Sequence, residues 1–233
     1  MNNALAVITP VGRESNTISD FVAQVQTQLN ARDMHFLVTD DYTDEASLRI
    51  IQDLSENSEY LITLVNLQDS RGIADVYLKG YERALAENYT HFLEIDAGFS
   101  HDPNQIKVFK LASLSNDVVF GCRFIEGAEY QSTFSRKIFS KGGSLLARVL
   151  LQTHVLDLTS GYQLFSREAL LAILAKGIRS KGPFFQTEMK YFACEMKFKY
   201  KEVPISYSNP SRQITLSDVA ESLLSLFRLT ILK

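Results

Sequence analysis

The stretch Leu93-Glu94-Ile95-Asp96-Ala97-Gly98-Phe99-Ser100-His101-Asp102-Pro103 decides how this chain is read. An apolar, strand-like run over residues 89–95 delivers acidic residues into a loop rich in Gly, Ser and Pro. In an α/β domain, ligands bind outside the carboxyl ends of the strands. A carboxylate placed there can meet a hard cation and the phosphates that the cation carries. A solvated acidic turn has the same local composition, so the surrounding chain has to decide between the two.

Upstream, strand-like and helix-like segments alternate. Residues 4–9 form a short apolar run that stops at the turn signal Pro10-Val11-Gly12. Phe21, Val22, Val25 and Leu29 give residues 19–29 a helical period. Residues 35–39 read as a second strand ending at Asp40-Asp41, and Leu48, Ile51 and Leu54 set a helix face over 46–54. A third strand spans 60–67, and a helix with a glycine-rich start spans 72–87. Four βα-type units in the first 95 residues predict a mostly parallel sheet covered by helices. Downstream, residues 117–123, 162–165 and 198–205 are strand-like, with Pro204 suited to an edge or strand end. Residues 132–151 are amphipathic and basic, and Gly142-Gly143 is expected to bend or divide that helix. A last helix is expected over about 216–232. No linker, repeat or low-complexity tract separates domains. The expectation is one α/β domain over 1–233, with a nucleotide-binding half over about 1–115 and a second half over about 116–233.

Composition narrows the class. The chain has 233 residues, 45% of them hydrophobic and 22% charged, which is ordinary for a globular protein. A net charge of −3 argues against nucleic acid as a partner. Cys122 and Cys194 have no metal-ligand spacing, so a reduced, cytoplasmic setting is expected. No signal-peptide pattern and no apolar run of about 20 residues is seen.

Parallel strands bring their carboxyl ends to one edge, so Pro10 to Glu14, Asp40-Asp41 and Asp96 to His101 can face one ligand. A carboxylate after the second strand suits a base or ribose hydroxyl, and a cation near Asp96 could neutralise a diphosphate leaving group. Arg71-Gly72 opens a helix where backbone can approach a ligand closely. No Gly-rich, Lys-bearing phosphate loop follows the first strand, which argues against a nucleotidyltransferase.

In order and spacing these segments resemble family 2 of the inverting glycosyltransferases with the GT-A fold, especially the dolichol- or polyprenol-phosphate mannose synthase branch. Residues 6–18 are similar to its VVPTYNEEENI pattern, Asp40-Asp41-Tyr42-Thr43-Asp44 to DDGSTD, and Gly72 through Gly80 to its GLGxAxxxG helix start. Ile95 through Pro103 resembles MDADLxHxP. The likeness continues with Gly121-Cys122-Arg123-Phe124 (GSRF), the Arg136 to Arg148 region, and Asp157-Leu158-Thr159-Ser160-Gly161-Tyr162-Gln163-Leu164-Phe165 (DxTSGFRxF). It ends with Gln186-Thr187-Glu188-Met189 (QxEM) and Glu202-Val203-Pro204-Ile205 (EVPI). It covers residues 4–208.

The resemblance implies hexose transfer from a GDP- or UDP-linked sugar to a polyprenyl phosphate. It also implies Mg²⁺ or Mn²⁺ at Asp96, with Pro10, Val11, Glu14, Asp40, Asp41, Arg71, Gly72, Asp96 and Ala97 on the nucleotide sugar. Arg123, Arg136, Ser160 and Arg212 are implied on the acceptor or its phosphate. Two departures stand out. Gly98 occupies the place of the second acidic residue of DAD, so only its backbone remains there, and Ser100 replaces the usual Gln. Glu94 or His101 could then assist Asp96, although a loop histidine bonded to the backbone is the expectation for His101.

Chemistry separates the acceptors. A lipid phosphate is already anionic and needs cations to hold it, whereas a saccharide or other hydroxyl acceptor needs a base, for which Asp157 and Glu188 are the candidates. With Gly98 in that place, a catalytically weakened nucleotide-sugar-binding protein is a third reading. The apolar residues of the basic helix and of the last helix could meet a membrane surface, the sheet or a second copy in a homo-oligomer.

Overall fold

The computed structural model describes residues 4–57, 59–208 and 215–231. Its centre is a seven-stranded sheet in the order β3-β2-β1-β4-β7-β5-β8. The strands are β1 (Leu5–Val11), β2 (Met34–Thr39), β3 (Ile62–Asn66), β4 (His91–Glu94), β5 (Val118–Cys122), β7 (Gln163–Ser166) and β8 (Tyr200–Pro204). β1, β2, β3 and β4 are mutually parallel, β7 runs antiparallel between β4 and β5, and β8 pairs parallel with β5 at the edge. A separate parallel pair joins β6 (Glu129–Tyr130) to β9 (Ser206–Tyr207). One sheet therefore takes strands from both halves of the chain.

The strands read as continuous apolar runs because both faces are covered, as expected for a largely parallel sheet. Successive residues alternate between two cores. Ile8, Phe36, Phe92, Phe120 and Phe165 lie in one, and Val7, Leu37, Leu93, Val119 and Leu164 in the other. The first core is closed by α3 (Ile73–Leu85), α6 (Arg167–Ala175), α7 (Phe185–Glu195) and parts of α5 (Phe134–Leu151) and α8 (Leu216–Ile231). The second is closed by α1 (Ile18–Gln26), α2 (Glu45–Glu56) and α4 (Ile106–Ala112).

Glycine sets one close approach. A Cβ on Gly80 of α3 would lie 2.5 Å from Ile8 Cγ2 and 2.9 Å from Val38 Cγ2, so only a hydrogen lets the helix settle on β1 and β2.

Three expectations change. β1 continues through Pro10 to Val11, because its ladder with β4 ends at Ile8–Glu94 and Pro10 lies beyond that pairing. α5 is one unbroken helix across Gly142-Gly143. Two helical glycines cost only about 1 kcal/mol each, Gly142 faces open space, and Ser140, Ser144, Ala147 and Leu151 anchor the helix on either side. The helices α4, α6 and α7 are additions to the elements expected from sequence. Arg212 lies outside the described residues.

Candidate active site

The ends of β1, β2 and β4 come together as parallel strands require. Thr43 Oγ1 donates to the Val11 carbonyl (2.6 Å) and Asp44 N–H to the Gly12 carbonyl (3.0 Å), tying the loop after β2 to the loop after β1. Glu14 turns back to accept from Gly12 N–H at 2.6 Å. Burial, opposed by that bond and reinforced by the charges of Asp96 and Asp44, raises its pKa. Asp40 accepts from Tyr42 N–H, and exposed Asp41 accepts from Ser70 N–H at 3.3 Å. The residue that caps α2 is Asp44, through Ser47 N–H, so neither Asp40 nor Asp41 is spent on the cap. Arg71 is exposed and paired with Asp75. Gly72, at φ 151°, packs so tightly that a Cβ would sit 2.6 Å from the Lys181 carbonyl oxygen.

Asp96 follows the end of β4, with its side chain 43% exposed. Its Oδ1 accepts from Tyr77 OH at 2.6 Å, and the charge of Arg136 also reaches it. Desolvation raises its pKa, with Tyr77 and then Arg136 opposing. Two residues back on β4, Glu94 is fully buried and accepts from Tyr81 OH, Gln163 Nε2 (2.8 Å) and Gln186 Nε2 (3.4 Å). Desolvation pushes the Glu94 carboxyl up to about 8 despite those donors.

The two tyrosines were missed from sequence as site residues, although the signal was present. Tyr77 and Tyr81 are one helical turn apart, rising about 6 Å, and Glu94 and Asp96 are two strand residues apart, about 6.6 Å. The two spacings match, so one helix face meets one strand face as a ladder of hydroxyls on carboxylates.

After Asp96 the chain turns through two left-handed residues, Gly98 (φ 82°) and Phe99 (φ 63°), with Phe99 packed edge-on against Phe21. A side chain at 98 would begin 3.5 Å from Glu14 Cγ. His101 is 1% exposed, lies between the rings of Tyr162 and Tyr207, and places Nδ1 3.9 Å from Asp96 Oδ2. Neither ring nitrogen has a hydrogen-bond partner, contrary to the expected backbone bond. Burial pushes its pKa down to about 3, with Arg123 adding to the effect.

Among the described residues no three His, Cys, Asp or Glu side chains gather as a metal cluster. The Asp96 carboxylate is 43% exposed, with Oδ1 on Tyr77 and Oδ2 3.9 Å from His101 Nδ1. That set fits an ion held jointly with substrate phosphates, a sharing that Mg²⁺ commonly uses.

On the second half of the site, Arg123 and Asp157 form a buried bidentate pair. Arg123 Nε and Nη2 donate to Asp157 at 2.7 and 2.8 Å, Arg123 N–H adds a third bond at 3.0 Å, and Nη2 also reaches Thr159 Oγ1 at 2.6 Å. Burial works against the charge on Asp157, yet the Arg123 charge holds its pKa below the usual value. Arg123 also stacks near Phe124, Tyr130 and Tyr207. Lys190, fully buried, donates to the carbonyls of Asp157 and Ser160 at 2.7 Å each. Glu188, 1% exposed, accepts from the backbone N–H groups of Arg179 and Ser180. The carboxylates of Asp157 and Glu188 are bound into the framework, and Arg123 is engaged by Asp157. Arg136 differs from Arg123, since its guanidinium donates to Tyr207 OH (3.0 Å) on the Asp96 side of the cleft.

The sequence profile of Glycosyl transferase family 2 matches residues 6–174. The chain belongs to that family. It is a glycosyltransferase, and its α/β fold is of the GT-A kind. A polyprenol monophosphomannose synthase of Mycolicibacterium smegmatis is 26% identical over 218 residues, covering 93% of this chain and 81% of that protein. An undecaprenyl-phosphate mannosyltransferase of Micrococcus luteus is 33% identical over 137 residues, 58% of this chain and 56% of that protein. The fold matches glucosyl-3-phosphoglycerate synthase of Mycobacterium tuberculosis, solved with Mn²⁺, UDP and phosphoglyceric acid. That match has a TM-score of 0.71 at 16% identity and covers 99% of this chain and 78% of that one.

The Glu94 carboxyl generates a pH prediction. In the folded protein it stays protonated up to about 8, whereas unfolded it ionises near 4.5. The folded state holds the extra proton in that window, so the contribution of Glu94 to stability falls as pH rises through it. Urea unfolding of wild type and Glu94→Gln at several pH values should show wild type losing stability relative to the variant between about 4.5 and 8. A pH-independent difference contradicts a buried, protonated Glu94.

Proposed function

We propose that this glycosyltransferase moves a hexose from a nucleoside-diphosphate sugar to a polyprenyl phosphate, inverting the anomeric carbon by one direct displacement. The observation that carries the proposal is the commitment of Asp157 and Glu188 to Arg123 and to backbone N–H groups. A hydroxyl acceptor needs a positioned base, and the two carboxylates offered for that role are occupied. A phosphate monoester needs none, because its oxygen already carries charge. The two curated relatives, a polyprenol monophosphomannose synthase and an undecaprenyl-phosphate mannosyltransferase, support the same acceptor class.

In this scheme the loops after β1, β2 and β4 hold the donor, with Glu14, Asp40, Asp41 and the Arg71-Gly72 turn toward the nucleotide. Arg136, whose charge reaches Asp96, supplies a cation that holds phosphate oxygens. An acceptor phosphate oxygen attacks the anomeric carbon as the bond to the nucleoside diphosphate breaks. A divalent ion at Asp96, of the kind solved with UDP in the mycobacterial synthase, would neutralise the departing diphosphate. Tyr77 orients the Asp96 carboxylate through Oδ1 and leaves Oδ2 toward the cleft.

The surface of α5 supports a lipid acceptor. This helix packs inside out: Ser140, Ser144, Ala147 and Leu151 face the protein, while Phe134, Ile138, Leu145 and Val149 face solvent, Phe134 being 80% exposed. Leu223, Leu224 and Phe227 of the adjoining α8 are also exposed, and Lys137 and Lys141 lie among the apolar residues of α5. Large outward apolar side chains beside lysines match an interfacial helix on an anionic bilayer. Among the described residues no helix is long and apolar enough to cross a membrane.

Two experiments test these points. Incubating the enzyme with GDP- and UDP-hexoses and a short polyprenyl phosphate should give, by mass spectrometry, a lipid phosphate heavier by one hexose residue. Asp96→Ala should remove that product, and full activity in the variant contradicts the role of Asp96. In flotation with vesicles containing anionic phospholipid, wild type should rise with the lipid and Ile138→Glu combined with Val149→Glu should not. Concentration-dependent dimerisation in place of vesicle binding overturns the membrane assignment.

A further inference from the structure

We infer that His101 is a ligand of the catalytic cation, so that the seat at Asp96 is a mixed nitrogen and oxygen site selective for Mn²⁺ over Mg²⁺. The inference rests on the proposed donor site at Asp96 but not on the identity of the acceptor. His101 is buried to 1% exposure, yet both of its ring nitrogens lack a hydrogen-bond partner. A buried polar group of this kind costs free energy unless something satisfies it. Its Nδ1 faces Asp96 Oδ2 across 3.9 Å, too far for a hydrogen bond and close enough for both atoms to reach one ion. Asp96 is itself turned for this, with Oδ1 held by Tyr77 and its side chain 43% open to the cleft.

The imidazole is fixed rather than free to swing. Tyr162 and Tyr207 pack on it with centroids 5.1 Å away on each side, and residue 101 bridges to the backbone of Tyr207. Residue 98, a glycine, adds no side-chain donor to the loop. An imidazole ligand changes the metal preference, because nitrogen suits Mn²⁺ better than Mg²⁺, which favours an all-oxygen shell. The seat proposed is Asp96 Oδ2 and His101 Nδ1 from the protein, completed by phosphate oxygens and water.

The test uses the full chain with Mn²⁺ and inorganic pyrophosphate, a probe that carries no nitrogen. Electron spin-echo envelope modulation of the bound Mn²⁺ should show a directly coordinated ¹⁴N, and ¹⁵N-histidine labelling should change that signal. His101→Phe keeps an aromatic ring between the two tyrosines. It should lose the nitrogen signal, weaken Mn²⁺ binding about tenfold or more and narrow the Mn²⁺-over-Mg²⁺ preference. Mn²⁺ bound by wild type without histidine nitrogen coupling overturns the inference, as does the absence of any Mn²⁺ binding. The wild-type spectrum decides even if His101→Phe fails to fold. A histidine-coupled Mn²⁺ in a protein that glycosylates no polyprenyl phosphate keeps the seat and removes the acceptor assignment, so the two failures are distinguishable.

Discussion

The buried pair of Arg123 with Asp157 is the interaction on which the second half of the chain depends. Removing two charges from water costs several kcal/mol per ion, and only good geometry with every lone pair used offsets it. Here the geometry is bidentate, with Thr159 and the Arg123 backbone N–H adding bonds. Lys190 holds the carbonyls on either side of the 157–160 turn, and Glu202 accepts from the backbone of Leu156 and Asp157. The end of β5, the turn before β7, helix α7 and edge strand β8 are thereby fixed together. Breaking the pair would leave an uncompensated buried charge, which opposes rearrangement of these elements.

That rigidity has a chemical consequence. A carboxylate held by structure is poorly placed for proton transfer, which suits the proposed acceptor because a phosphate needs no deprotonation. The first half of the chain is organised differently, by the Tyr77–Asp96 and Tyr81–Glu94 pairs between α3 and the end of β4. There the upper carboxylate remains open to the cleft and the lower one is neutralised by burial. Arg136 joins the halves, because it stands on the inside-out helix α5 and its field reaches Asp96.

The parallel half of the fold was legible because its strands are apolar throughout and its helices carry clear stripes, as in Phe21, Val22 and Val25 of α1. Helix α7 was not legible as a helix. Phe185 through Tyr191 are buried regardless of residue type, including Gln186, Thr187, Glu188 and Lys190, so no polar face marks a period. Helix α5 misled in another way, since Gly142-Gly143 looked like a break and packing on either side overrode it. The strand ends were enough to place Glu14, Asp40, Asp41 and Asp96 at one edge of the sheet. The pairing of Asp157 with Arg123 joins residues 34 apart, and Glu188 is held by backbone N–H groups of the preceding loop, so neither contact is marked in the sequence. His101 is the opposite case: its place in the loop was plain, but its lack of any bonding partner is visible only in three dimensions.

The central claim is that this site glycosylates an oxyanion without a general base. The most direct measurement offers the enzyme one nucleoside-diphosphate hexose together with equal amounts of a short polyprenyl phosphate and the corresponding prenyl alcohol. The account predicts that the hexose appears on the phosphate alone, with inverted configuration by NMR of the product. Transfer to the alcohol at a comparable rate, or retention of configuration, would contradict it.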